Sequence, residues 1–279
     1  MTYEPYPAFW AAATPAARDA AYNNTGAVAD SATLNAARTA DAASFRPAHA
    51  GHLDLPYGEG PRRQWDLFPA ADPKAPCLVF IHGGYWQRNQ RQDFCGLMAG
   101  ALARGWAAAL PGYTLAPDTT MTGLVADIRA ALDWLAAHGP THGIGGRIIV
   151  AGHSAGGHLT ALALEHPAVA AGLAISGIFE LAPIRDTDLN DKLHLTPEEV
   201  EALSPMRRPV VQKPCIIAYG TGELAELRRQ SRDFHTYRAT AHAKGALVPI
   251  AHADHFRILD ALKAPDGELL RAAADLLNL

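Results

Sequence analysis

Short, unbroken apolar runs alternate along the chain with longer segments whose apolar residues recur every three or four positions. Cys77 to Ile81 (CLVFI) is the clearest run. Trp106 to Leu110, Arg147 to Ala151, Ala171 to Ser176, Cys215 to Tyr219 and Ala246 to Ile250 repeat the pattern, and Gln64 to Phe68 reads as a further short strand. Runs of this length without polar alternation belong to strands covered on both faces. Between them, Phe94, Leu97, Met98 and Leu102 share one helical face. Leu124, Val125, Ile128, Leu132 and Leu135 do the same, with Asp127, Arg129 and Asp133 interleaved. Strands and helices taking turns predict an α/β fold, a mostly parallel sheet of about eight strands with helices on both faces.

Two stretches stand outside the alternation within what reads as one domain over 1–279. Residues 1–50 are Ala-rich and punctuated by Pro5, Pro7, Pro15 and Gly26, and they predict one or two helices forming an N-terminal cover. The segment 177–214 separates two neighbouring strand runs by far more than the usual short connection. Its place after a strand's C-terminal end predicts a lid-like insertion, with the acidic residues Asp186, Asp188 and Asp191 on its surface.

Composition narrows the classes. Hydrophobic residues make up 49% and charged residues 19%, so a large core is available and wholesale disorder is excluded. The net charge is −4, and no basic cluster exceeds the pair Arg207-Arg208, which argues against nucleic acid or an anionic membrane as partner. No apolar run approaches the ~20 residues of a membrane span. The three cysteines (Cys77, Cys95, Cys215) form no CxxC pair, so neither a disulfide framework nor a cysteine-rich zinc site is expected. The N-terminus has no basic stretch, and Glu4 and Asp19 interrupt any signal-like run. These features together predict a cytoplasmic protein with no cofactor and no metal. A small-molecule substrate is the expected partner; composition specifies no oligomeric state, and a homodimer is carried only as the candidate assembly.

The most informative stretch is Gly152-His153-Ser154-Ala155-Gly156, a G-x-S-x-G sequence between a predicted strand and a predicted helix. A serine on so sharp a turn needs near-absent side chains two residues before and two after. Ser154 is therefore the candidate nucleophile; a glycine-flanked helix start that happens to hold serine is the competing reading. CLVFI runs directly into His82-Gly83-Gly84-Tyr85-Trp86. Paired glycines after a buried strand let backbone N–H groups turn towards the serine, so Gly84 and Tyr85, completed by Ala155, are the candidate oxyanion donors. His82 precedes the serine, and in sites of this type the order is serine, acid, histidine, so a role in shaping the loop is expected. After the last strand His252 and His255 compete as base, and spacing favours His255. Glu223 follows the CIIAY strand on a Gly-Thr-Gly loop and is the candidate acid. Its rivals Glu226 and Asp233 fall inside the next helix. Tyr85 and Trp86 are candidate substrate-binding aromatics, although Trp86 could equally pack inwards.

At these residues the chain resembles the kynurenine formamidases (arylformamidases) of the α/β-hydrolase fold, relatives of the hormone-sensitive-lipase-like esterases. The resemblance extends from about Leu53 to the C-terminus. It rests on His82-Gly83-Gly84-Tyr85-Trp86, on Gly152 to Gly156 with His158-Leu159, and on Ser176 to Leu181. It continues through Leu195-Thr196, Ser204-Pro205, Arg229-Gln230-Ser231 and Asp254-His255-Phe256. It implies Ser154 as nucleophile, His255 as base and an acid at Glu223, where animal members carry Asp. The implied reaction is hydrolysis of N-formyl-L-kynurenine to L-kynurenine and formate through a formyl-serine. A carboxylesterase acting on short acyl esters is the alternative within the same chemistry, and a non-catalytic hydrolase-fold binding protein is the alternative outside it.

Overall fold

The apolar runs assemble into one eight-stranded sheet in the computed structural model, which describes residues 8–277. The first seven residues of the expected cover and the last two of the chain lie outside the described residues. The strands are β1 (His52–Pro56), β2 (Gln64–Phe68), β3 (Cys77–Ile81), β4 (Ala107–Pro111), β5 (Ile148–His153), β6 (Val169–Ile175), β7 (Cys215–Gly220) and β8 (Gly245–Ile250). Their order is β1-β2-β4-β3-β5-β6-β7-β8. β2 pairs antiparallel with both β1 and β4, and every other pairing is parallel. Side chains alternate between two cores. Cys77, Val79 and Ile81 of β3 face one layer with Trp65, Leu124 and Phe179, while Leu78 and Phe80 face the other with Phe94, Met98 and Leu259. β1 was not among the strand runs, because HLDLP offers only two apolar side chains before its proline and lies at the edge, alternately exposed.

The helices are α1 (Ala8–Ala12), α2 (Pro15–Tyr22), α3 (Asn24–Ala27), α4 (Ser31–Ala48), α5 (Ala99–Ala103), α6 (Met121–His138), α7 (Ala155–Ala163), α8 (Ala182–Arg185), α9 (Asn190–Leu193), α10 (Pro197–Leu203), α11 (Ala225–Thr240) and α12 (Glu268–Leu277). The helical run around Phe94 divides into a tight 3₁₀ segment, Arg91–Met98, followed by α5. No helix among the described residues is long and apolar enough to cross a membrane.

The described part of the N-terminal stretch forms four helical segments rather than one or two. Side-chain caps divide it: Thr14 accepts from Ala17 N ahead of Pro15, and Asn23 accepts from Gly26 N. The cover is fastened at several points. Arg46 makes two hydrogen bonds to buried Asp66, at 2.7 and 2.8 Å. Gln230 donates to the Tyr22 hydroxyl at 2.8 Å, and Asp188 N–H donates to Asp19 at 2.9 Å.

Residues 177–214 are built into the body of the fold. Everything from Gly177 to Ile184 is buried. Gln230 Oε1 accepts from the N–H groups of Phe179 and Glu180, and Ser204 Oγ accepts from Leu181 N–H. Arg207 pairs with buried Glu180 at 2.9 Å. Ser204, Gln230 and Glu180 therefore serve packing, which accounts for three of the sequence stretches that carried the family resemblance.

Candidate active site

The C-terminal ends of β3, β5, β7 and β8 reach the same side of the sheet, and each feeds a loop into one region. β5 ends at His153, and Ser154 takes φ 58° and ψ −119° before α7 begins. That conformation is costly for a residue with a side chain and persists where the surroundings enforce it. Here the enforcement is close approach. A Cβ on Gly152 would lie 2.2 Å from the Gly156 carbonyl oxygen, and one on Gly156 would lie 2.0 Å from that of Ile81. Ser154 N–H donates to Ile175 O at 2.8 Å, tying the bend to β6.

The loop after β3 lies directly against this bend. A Cβ on Gly83 would fall 2.6 Å from His153 O and 3.0 Å from Ser154 Cβ. Gly84 (φ 122°), Tyr85 (φ 50°) and Trp86 (φ 58°) then turn in succession. The Gly83 carbonyl accepts from His82 Nδ1–H at 2.9 Å and from Asn89 Nδ2 at 3.1 Å. Among the described residues, the N–H groups of Gly84, Tyr85 and Ala155 meet no acceptor. His82 is fully buried, stacked 4.4 Å from Tyr113, and burial lowers its pKa to about 3, so it is a neutral strut within the loop.

From the other side come the Glu223 carboxylate and the His255 imidazole. His255 Nδ1–H donates to Glu223 Oε1 at 2.7 Å, and Glu223 Oε2 accepts from Gly220 N–H at 3.1 Å. The Glu223 side chain is wholly buried. Backbone bonds sew the two loops together: Thr221 N–H to Ile250 O at 3.0 Å and Gly222 N–H to Ala253 O at 2.9 Å. His252 is exposed, and only its N–H engages the neighbouring loop, through Thr221 Oγ1. Glu226 and Asp233, the rival acids, are both engaged by Arg229.

Ser154 and His255 line one cavity of about 80 Å³. Gly83, Gly84 and Tyr85 form part of its wall, and the cover contributes Asn24, Thr25, Asn35 and Arg38. The segment 177–214 contributes none of the wall, so the roof over Ser154 comes from the N-terminal helices. Trp86 is also not in the wall. It is fully buried, with its ring edge-on to His158 at 5.2 Å, which corrects the expectation that it presents a surface to substrate. Tyr85 does line the cavity; its hydroxyl donates to Tyr22 O and accepts from Asn24 Nδ2.

Three participants had escaped the sequence reading. His153 packs its ring 4.4 Å from that of His255. Burial and the His255 ring together hold its pKa well below the ordinary value, so it carries no charge. Asn24 and Arg38 sit in the Ala-rich cover, where only the polar break Asn23-Asn24-Thr25 hinted at more than packing. His153, Glu223 and His255 offer atoms within 4.8 Å of one another, the one such potential metal-ligand group among the described residues, yet both Glu223 oxygens already accept N–H bonds. A larger cavity of about 270 Å³ between α6 and α7 includes neither Ser154 nor His255.

A family described as BD-FAE matches residues 66–169. The chain is 31% identical over 238 residues to the kynurenine formamidase of Drosophila melanogaster, covering 78% of each chain. It is 28% identical over 227 residues to that of Danio rerio, covering 75% of this chain and 76% of the relative. A crystal structure from Silicibacter sp. TM1040, provisionally described as a thioesterase, superposes with a TM-score of 0.84 at 29% identity, covering 91% of this chain and 97% of that one.

Proposed function

This chain belongs to the kynurenine formamidase family, and on that premise we propose that it hydrolyses N-formyl-L-kynurenine to L-kynurenine and formate, a step of tryptophan catabolism, with Ser154, His255 and Glu223 as the catalytic triad. The observation that carries the reading is the 2.7 Å bond from His255 to a buried carboxylate, on two loops sewn together, with His255 and Ser154 facing one cavity. A proton committed to Nδ1 leaves Nε2 as the basic nitrogen.

Nε2 takes the Ser154 proton as Oγ attacks the formyl carbon. The developing oxyanion meets the N–H groups of Gly84, Tyr85 and Ala155. Glu223 stabilises the imidazolium and fixes the ring's tautomer. Neutral His153 beside it adds no opposing charge. His255 then protonates the aniline nitrogen as the C–N bond breaks. Water, activated by the same imidazole, releases formate from the formyl-serine. The small cavity suits the smallest acyl group. The three cysteines are free and buried, consistent with a reducing cytoplasm as the location we propose.

Short acyl esters would use the same groups, and the likeness to a protein described as a thioesterase keeps that reading in play. A hydrolysis panel decides between them. The formamidase reading expects kcat/KM for N-formyl-L-kynurenine to exceed that for esters of equal size, with Ser154→Ala inactive on all; ester preference with no turnover of any formanilide refutes it.

A further inference from the structure

Beyond Tyr85 lies a second cavity of about 130 Å³, and its wall shares Asn24, Thr25, Tyr85 and Arg88 with the cavity that holds Ser154. Tyr85 lines both cavities, and two hydrogen bonds with the cover fix its hydroxyl. On the far side the wall carries Asp19 and Asp188, brought together by the bond from Asp188 N–H to Asp19 Oδ1. The same wall carries Arg88. Its guanidinium has no acceptor among the described residues, whereas Arg46, Arg91, Arg207 and Arg229 are all paired. Asn24 is only 4% exposed and spends its Nδ2 on Tyr85, so its buried Oδ1 is an acceptor with no donor. An orphaned buried carbonyl is costly unless a donor arrives.

A wall with one free cation, two carboxylates and an unfilled acceptor is ill suited to a simple alkyl ester, which carries no charge. It complements a group bearing both signs. We propose that this second cavity is the subsite for the α-amino-acid head of the substrate. Arg88 pairs with the α-carboxylate, and Asn24 Oδ1, in the field of Asp19 and Asp188, receives the α-ammonium. The formanilide carbonyl then lies on the Ser154 side of Tyr85. This rests on the formamidase reading and adds to it the residues that choose an amino acid over a plain formanilide.

The test measures kcat/KM for N-formyl-L-kynurenine and for formanilide, which lacks the head, in wild type, Arg88→Gln and Arg88→Lys. The ratio of the two is expected to favour N-formyl-L-kynurenine in wild type, to fall about 10- to 100-fold in Arg88→Gln through KM, and to recover in part in Arg88→Lys. A ratio unchanged by Arg88→Gln, or no wild-type preference for the head, overturns the proposal while leaving formamide hydrolysis intact. If wild type cleaves esters but neither formamide, the formamidase reading has failed, and the subsite is judged by competition instead. L-kynurenine should then inhibit p-nitrophenyl acetate hydrolysis about tenfold more weakly in Arg88→Gln, and an equal inhibition constant, or none in wild type, overturns it.

Discussion

Replacing Glu223 by Gln probes the acid while keeping size and shape. In the native site one carboxylate oxygen accepts from His255 Nδ1–H at 2.7 Å and the other from Gly220 N–H at 3.1 Å. An amide cannot satisfy both. With its oxygen towards His255, its NH₂ confronts the Gly220 N–H, donor against donor. Flipped, it donates to Nδ1, drives the ring proton to Nε2 and removes the base. Either way the imidazolium formed at the transition state loses its counter-charge. Unit charges 2.7 Å apart at an effective dielectric of ~20 attract by about 6 kcal/mol, which bounds the loss near 10⁴-fold. Steady-state kinetics on a formanilide and on p-nitrophenyl acetate should therefore show kcat reduced 10³- to 10⁴-fold with KM little changed. Circular dichroism should show the fold intact. A kcat within tenfold of wild type on both substrates would refute Glu223 as the orienting acid.

Ser154→Ala should lower turnover at least about 10⁴-fold with an unchanged unfolding midpoint, and a fluorophosphonate probe that still labels the variant would show the nucleophile lies elsewhere. Gly83→Ala places a methyl 2.6 Å from the His153 carbonyl oxygen, so the loop must withdraw from Ser154. A kcat loss of about 10²- to 10³-fold is expected on both substrates, and undiminished kcat would remove the loop from the oxyanion site. His82 and His158 are neutral in the fold, with burial lowering their pKa values to about 3 and about 4. Below the unfolded value of ~6.5 the unfolded chain binds protons that the folded form refuses, so stability falls with falling pH, by roughly 1–2 kcal/mol per pH unit for each ring. Urea denaturation at pH 7, 6 and 5 should show the decline, and ring resonances of both histidines titrating between pH 7 and 5 would contradict it.

What could be read from the letters follows physical rules. The central strands were legible because strands buried on both faces must be apolar throughout. The bend at Ser154 was legible because only glycine at 152 and 156 lets three backbone segments come so close. His255 could be preferred over His252 only by spacing and by resemblance. The distinction itself depends on Gly222 N–H meeting Ala253 O, a contact between loops that no local pattern announces. Trp86 misled for a related reason: an aromatic beside a functional loop looks the same in sequence whichever way its ring turns. The roof was the least legible part, since an Ala-rich stretch shows neither its target nor the value of a single Asn24 or Arg38.

The order in which the cover's partners are synthesised has a consequence for how the enzyme matures. Phe45 and Arg46 of α4 find Phe68 and Asp66 within about two dozen residues, so this helix can settle as soon as β2 has left the ribosome. The Tyr22 carbonyl can meet the Tyr85 hydroxyl 63 residues later, but its own hydroxyl must wait for Gln230, 208 residues later, which at ~5–20 residues per second is roughly 10–40 s. The Trp10 indole N–H likewise finds Asp186 only 176 residues later. The roof over the serine is therefore fastened in stages, first to Tyr85 and last to α11.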